Sequence, residues 1–315
     1  MCPIESLISL FARRKKNAPP RADSSASRIP TRFLPDNFFP SDGISLLAGR
    51  GDYPLLCASR MQAAGIPVSL VASEDASNEL YERFPEHRRI RYNAGQVGKI
   101  LQRLKENGHR WAIMVGQVAP KRLFHGLKFD WAAIRMLSHL RRRNAETIFG
   151  ALAESIEKCG VKILDARTFM DEDLATEGFM TRRHRPPVGV EHGIEVARAV
   201  ASLDVGQGVV VHRGTVLAVE GFDGTDKMLT RCKEFKTKPK WFIKTSKPNQ
   251  DFRFDVPVVG LRTLESMREG GISGIAVESG RTLLFDKKTF LEHADRLGIA
   301  VYGYGHCAPS HRGKR

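Results

Sequence analysis

The sequence lacks any run of the roughly 18 apolar residues that a membrane-spanning helix needs, so no such helix is expected. Its short apolar start, MCPIESLISLF, precedes the basic cluster ARRKK instead of following one, the reverse of a secretory signal. The five cysteines, at 2, 57, 159, 232 and 307, lie far apart, so no CxxC pair exists for zinc or thiol exchange. An odd, widely spaced set points to reduced thiols in a cytosolic protein, with Cys57, Cys159 and Cys232 serving as small buried hydrophobes. There is no GxxxxGK[ST] phosphate loop, no HExxH and no GxSxG. The DxH and GNHD runs of dinuclear phosphoesterases are missing too.

Acidic residues are outnumbered, 35 against 50 basic ones over 315 residues, leaving a net charge of +15. Such a balance calls for an anionic partner: nucleic acid, an anionic membrane or a phosphorylated substrate. Two segments concentrate the excess. Residues 227–247 hold eight Lys/Arg against one Glu, and residues 121–143 hold seven against one Asp. In the second cluster Arg135, His139 and Arg142 fall on one helical face. The interleaved aromatics and repeated signatures of RNA-binding modules are absent. Nucleic acid therefore rests on net charge alone.

A composition of 42% hydrophobic and 27% charged residues is that of a globular chain. Residues 1–43, rich in Pro, Ser, Arg and Ala, read as a largely disordered basic extension; Ile4, Leu7, Ile8 and Phe11 ahead of Arg13–Lys16 fit a weak interfacial anchor. Residues 44–176 alternate strand and helix patterns, which predicts a parallel, Rossmann-like first domain. Its strands are expected at 44–48, 66–71 and 111–115, and its helices at 53–64, from Val97 to Leu104 and from Phe149 to Cys159. A charged, Pro- and Gly-bearing break over 171–189 marks the boundary. Residues 177–306 form a second, mixed α/β domain: a helix around 194–201, a hairpin over 208–219 and alternating elements to 304, including strands at 256–260 and 282–285. Residues 307–315 are a basic tail. The fold class is thus α/β, a Rossmann-like first domain followed by a second, mixed α/β domain.

Three constellations carry chemistry. Gly49-Arg-Gly51 begins like a dinucleotide fingerprint but has Pro54 where the third glycine belongs; it is either a phosphate cradle or a plain strand–helix turn. Asp204-Val-Gly-Gln207-Gly208 joins an acceptor and an amide to close-approach glycines, or simply caps a helix. Glu220-Gly-Phe-Asp223-Gly224-Thr225-Asp226 places three carboxylates in seven residues at a predicted helix start. A diphosphate beside carboxylates would be repelled without a bridging cation, so a phosphate site here implies Mg²⁺. Lys244, Ser246 and Lys247 follow at a strand end, where they could clamp phosphate oxygens.

The runs AGRGDYP (48–54), GQVGKI (95–100), GQV (116–118), LDVGQGVVV (203–211), AVEGFDGTDKML (218–229), KTSKPNQDFRFDVPVVG (244–260) and GGISGIAVESGRTLLFD (270–286) resemble the LpxI-type UDP-2,3-diacylglucosamine pyrophosphatases. The similarity covers about residues 44–304. It implies Mg²⁺-dependent hydrolysis of the diphosphate of UDP-2,3-diacylglucosamine to UMP and 2,3-diacylglucosamine 1-phosphate, lipid X, in lipid A synthesis. It also implies a cytoplasmic protein peripheral to the inner membrane, with the lipid held between two domains. The family's essential GTD aspartate matches Asp226, expected to be catalytic and, with Glu220, to hold the metal. Gly49, Gly51, Asp204, Gln207, Gly224, Thr225, Lys244 and Lys247 are the expected substrate-binding residues. The chain departs from the family pattern in two places: Gly116-Gln117-Val118 replaces GNV, and Arg143-Asn-Ala-Glu-Thr-Ile148 replaces a GDDALL-like run. The loss of those aspartates motivates a second reading, a catalytically silent nucleotide-sugar or lipid-phosphate binding protein. The oligomeric state stays open, a homo-oligomer included.

Overall fold

The computed structural model describes residues 31–93, 95–117, 129–141, 144–184 and 189–306. The first half is built on strand β1 (Ile44–Ala48), helix α1 (Tyr53–Ala63), β2 (Val68–Ser73), α2 (Asn78–Glu82), β3 (Arg89–Tyr92), α3 (Val97–Asn107), β4 (Trp111–Val115), α4 (Trp131–Ser138), α5 (Ala145–Lys158) and β5 (Lys162–Ile163). The strands form one wholly parallel sheet in the order β3-β2-β1-β4-β5. Every residue of β1, β2 and β4 is buried, as helices on both faces require. Side chains alternate between two cores. Leu46, Leu70 and Ile113 meet α1, while Leu47, Val71 and Met114 meet α3, α4 and α5. Polar side chains set helix starts: Ser77, Asp130 and Asn144 each accept an N–H from the first turn.

The second half runs β6 (Gly178–Phe179), α6 (Val190–Ser202), β7 (Gly208–His212), β8 (Thr215–Val219), α7 (Gly224–Arg231), β9 (Trp241–Lys244), β10 (Val258–Val259), α8 (Leu261–Glu269), β11 (Gly274–Glu278), β12 (Leu283–Leu284), α9 (Lys287–Leu297) and β13 (Ala300–Tyr304). Its six-stranded sheet has the order β6-β13-β11-β9-β7-β8. Strands β9, β11 and β13 are parallel, and β6, β7 and β8 join antiparallel. One face packs Val210, Phe242, Ile275 and Val301 on α7, α8 and α9; the other packs Val209, Trp241 and Ile243 on α6.

Several expectations change in detail. The strands predicted at 256–260 and 282–285 shrink to two residues each and pair with one another, Leu283 also bridging Leu174, since Pro257 has no N–H with which to extend the ladder. The second strand lies at Val68–Ser73, two residues later than read. Of the extension predicted over 1–43, residues 1–30 lie outside the described residues. Residues 31–43 are ordered against the first half instead: Leu34 and Phe38 pack on its core, and Phe38 lies 6.0 Å from Trp111. Arg142, Val118 and the tail from Cys307 also fall outside the described residues. Cys57 and Cys232 are buried as expected, and Cys159 is half-buried. No helix among the described residues is long and apolar enough to cross a membrane.

A strap from the second half holds the two halves together. After β9 the chain crosses the first half over residues 247–256. The Ala166 N–H donates to the Phe252 carbonyl at 2.7 Å, Phe254 stacks on Phe149, and Val256 enters the first core. Arg253 reaches Glu157 at 3.0 Å.

Candidate active site

The carboxyl ends of β9, β11 and β13 and the turns beside β7 and β8 share one edge of the second sheet. Open α/β sheets place ligands outside such edges. Here Glu220 directly follows β8, and its backbone N–H bonds the Gly208 carbonyl at 2.8 Å. Gly206 permits this approach, because a Cβ there would lie 2.3 Å from the Glu220 carbonyl. The Glu220 carboxylate turns inward. One oxygen accepts the Thr225 hydroxyl; the other accepts the Gln207 N–H at 3.2 Å and lies 3.8 Å from Lys244 Nζ. Lys244 Nζ in turn donates to Thr225 Oγ1 at 3.3 Å. Glu220, Thr225 and Lys244 therefore form one triangle at the start of α7.

Helix α7 begins without a side-chain cap, leaving its first N–H groups free of a side-chain acceptor. Asp226 sits in this first turn, where its charge suits the helix dipole. It is one-third exposed and pairs with Arg262 of α8 at 2.7 Å. Asp223 pairs with Arg231 at 3.1 Å.

A second group bridges the halves. Lys247 Nζ bonds Glu146 at 2.6 Å and also bonds Asp204; Asn144 donates to Asp204 at 2.8 Å. Burial pulls the Lys247 ammonium down, but the hydrogen bonds to Asp204 and Glu146 outweigh it and hold the pKa above the usual lysine value. The Gln250 side chain accepts the Lys247 N–H at 2.7 Å and, at 3.5 Å, that of the Gln207 amide, tying the two groups together. Burial pushes the neighbouring Asp255 carboxyl up.

The structure thus brings together Asp204, Gln207, Glu220, Gly224, Thr225, Asp226, Lys244 and Lys247. Among the described residues, no hydrogen bond joins Gly49 or Gly51 to this group. Their turn closes on its own half: Arg50 and Gln117 exchange backbone hydrogen bonds at 2.7 and 2.9 Å. A Cβ on Gly49 would lie 2.6 Å from the Gln117 carbonyl. Three contributors were not read from the sequence. Asn144 and Glu146 occupy the run that departs from the family pattern, so their position is marked in the sequence, but the Asn144 contact with Asp204 spans 60 residues and the Glu146 contact with Lys247 spans 101. Arg262 carries no signal beyond its place at a helix start.

Among the described residues, no three His, Cys, Asp or Glu side chains converge as a metal cage. Mg²⁺ usually takes only one or two carboxylates and completes its shell with water and substrate phosphate. The oxygen donors here fit that arrangement. Asp226 offers a partly exposed carboxylate whose partner Arg262 is largely in solvent, whereas Glu220 already accepts two hydrogen bonds.

A parallel sheet strapped to a mixed sheet, with charged groups collected at one edge of the second, defines a two-domain α/β protein. The chain belongs to the LpxI family: the LpxI N-terminal domain matches residues 43–173 and the LpxI C-terminal domain residues 176–302. It is 29% identical over 274 residues to the UDP-2,3-diacylglucosamine pyrophosphatase LpxI of Caulobacter vibrioides, covering 82% of this chain and 96% of that one.

Proposed function

We propose that the chain hydrolyses the diphosphate bond of UDP-2,3-diacylglucosamine, with Mg²⁺, to UMP and 2,3-diacylglucosamine 1-phosphate in lipid A synthesis. The observation that carries this reading is the uncapped start of α7, with Asp226 in its first turn, set against the Thr225–Glu220–Lys244 triangle. A phosphoryl group there meets backbone N–H donors and an ammonium beside a carboxylate.

The residues divide the work. Asp226 orients the attacking water or takes its proton, and its exposed partner Arg262 yields at little cost. Lys244 meets the charge that grows on the phosphoryl oxygens. Glu220 fixes Thr225 and Lys244 so that neither must reorganise. Lys247 and Gln207 hold the adjoining rim. Asp226, with Glu220 behind it, would hold Mg²⁺, which when bound supplies charge neutralisation at the phosphoryl oxygens.

Two further features support a lipid substrate taken from a membrane. Leu203, Val205 and Phe222 are exposed apolar side chains flanking Asp204 and Asp223, a surface that acyl chains would cover. Trp131 and Ile134 stand exposed on α4 within the basic 121–143 segment, which suits peripheral contact with an anionic cytoplasmic leaflet. The test is UMP release from UDP-2,3-diacylglucosamine with Mg²⁺, wild type against Asp226→Ala. Release by wild type and its loss in the variant are expected; no release by wild type sinks the reading.

A further inference from the structure

One strand away from Lys244, the same sheet edge holds a cluster that the proposed chemistry does not use. Glu278, at the end of β11, is 1% exposed. One of its oxygens accepts the Ser246 N–H at 3.1 Å and the Ser246 hydroxyl, and lies 3.5 Å from Arg281 Nε. The other lies 2.5 Å from His306 Nδ1 and 3.7 Å from Arg198 Nη2. Burial pushes the Glu278 carboxyl up, but the Ser246 and His306 hydrogen bonds and Arg281 hold it below its ordinary value. It is therefore a saturated anion facing inward.

The guanidinium groups around it are not saturated. Two guanidinium groups and an imidazole surround this single carboxylate. The adjacent Arg167 is already matched by Asp165 at 2.6 Å. Arg198 Nη2 is buried without a hydrogen-bond partner among the described residues. Arg281 uses Nε on Ser246 at 2.8 Å and lies 4.6 Å over the Phe252 ring, with no hydrogen bond to a described residue through Nη1 or Nη2. Burial lowers the Arg281 pKa, and its neighbours Arg167 and Arg198 push the same way against Glu278. The Arg198, Arg281 and His306 side chains are each partly open to solvent, at 29%, 21% and 47% exposure. The place is thus reachable, charged in excess and short of an acceptor.

We propose that Arg198 and Arg281, set by Glu278 and joined by His306, form a second anion subsite on this edge that takes a phosphoryl group. Two guanidinium forks around one point suit a dianion with three acceptor oxygens better than a carboxylate with two. The subsite adjoins the Lys244 group, since Ser246 lies between Lys244 and Lys247 and the Tyr304 hydroxyl donates to the Lys244 carbonyl at 3.1 Å. The phosphoryl group belongs to a nucleotide or to free phosphate. The nucleotide case extends the proposed function, because a nucleotide diphosphate substrate would reach across both groups.

The test is calorimetric titration of the full chain with inorganic phosphate, UMP and uridine, using wild type, Arg198→Gln, Arg281→Lys and Asp226→Ala. Wild type and Asp226→Ala are expected to bind phosphate and UMP but not uridine. Arg198→Gln is expected to weaken both anions at least tenfold. Arg281→Lys keeps the charge but loses the fork, and is expected to weaken them as well. UMP binding far tighter than phosphate supports the nucleotide source, and equal binding supports free phosphate. Wild-type affinity in both arginine variants, wild type binding neither anion, or uridine matching UMP overturns the subsite. These titrations need no turnover. A chain that binds phosphate through Arg198 yet releases no UMP from the sugar nucleotide refutes the proposed function and leaves the subsite standing.

Discussion

The two sheets share a construction and differ at one edge. In both, parallel strands end in turns that lead into helices, the arrangement that commonly receives a ligand. In the first sheet the turns after β1 and β4 close on each other, backbone against backbone, at Gly49, Arg50 and Gln117. In the second, the edge collects Glu220, Lys244, Ser246, Glu278 and His306, and α7 opens beside it without a side-chain cap. The same topology gives a packed turn where glycines let backbones touch, and a charged site where strand ends carry polar side chains. The first half contributes Asn144 and Glu146 to that site from the start of α5.

Substitutions can break this contrast. The largest effect is expected from Asp226→Ala, which should lower UMP release by about 100-fold or more with little loss of stability. Next is Lys244→Met. Lys244 is 10% exposed, and removing it leaves Glu220 without its cation, so activity should fall and unfolding in urea should show a loss of about 2 kcal/mol. Gly49→Ala should behave oppositely. The clash with Gln117 should cost about 1–3 kcal/mol in melting experiments, while kcat per folded molecule stays unchanged. A Gly49→Ala protein of normal stability but raised KM would make the first edge part of the site. Lys247→Ala should cost less, about 0.5–1 kcal/mol, because Glu146 and Asp204 are each 42% exposed and water screens the pairs.

The smallest effect concerns pH. Glu278 has a folded pKa below its ordinary 4.5, so its contribution is fully present above 4.5 and is lost as pH falls through the folded value. Glu278→Gln should therefore flatten the acid side of the stability profile below pH 4.5. An unchanged acid limb would remove Glu278 as the anchor of this edge.

Elements with strong periodicity were legible in the sequence. The apolar runs of β1, β4 and β11 and the stripes of α3 and α5 announced themselves. Strand β3 did not, because Arg89 and Arg91 lie over Tyr81 at 4.6 and 4.3 Å and give an edge strand a charged pattern. Helix α4 was visible only through the face assigned to Arg135, His139 and Arg142, but it ends at Ser138, with His139 just past its last turn, and its exposed Trp131 and Ile134 blur the contrast between faces. Within the site, Glu220, Thr225 and Lys244 were visible as motif residues in order. Glu146 and Arg262 were not, since long-range ion pairs leave no periodic trace. The Gly49 turn was readable as a turn, but whether backbone or ligand fills it depends on Gln117, a residue far along the chain.

The most direct test measures UMP released from UDP-2,3-diacylglucosamine with Mg²⁺ by wild type, Asp226→Ala and Gly49→Ala at equal folded concentration. Placing the chemistry on the second edge predicts release by wild type and Gly49→Ala alike and almost none by Asp226→Ala. Undiminished release by Asp226→Ala, or its loss only in Gly49→Ala, would contradict it.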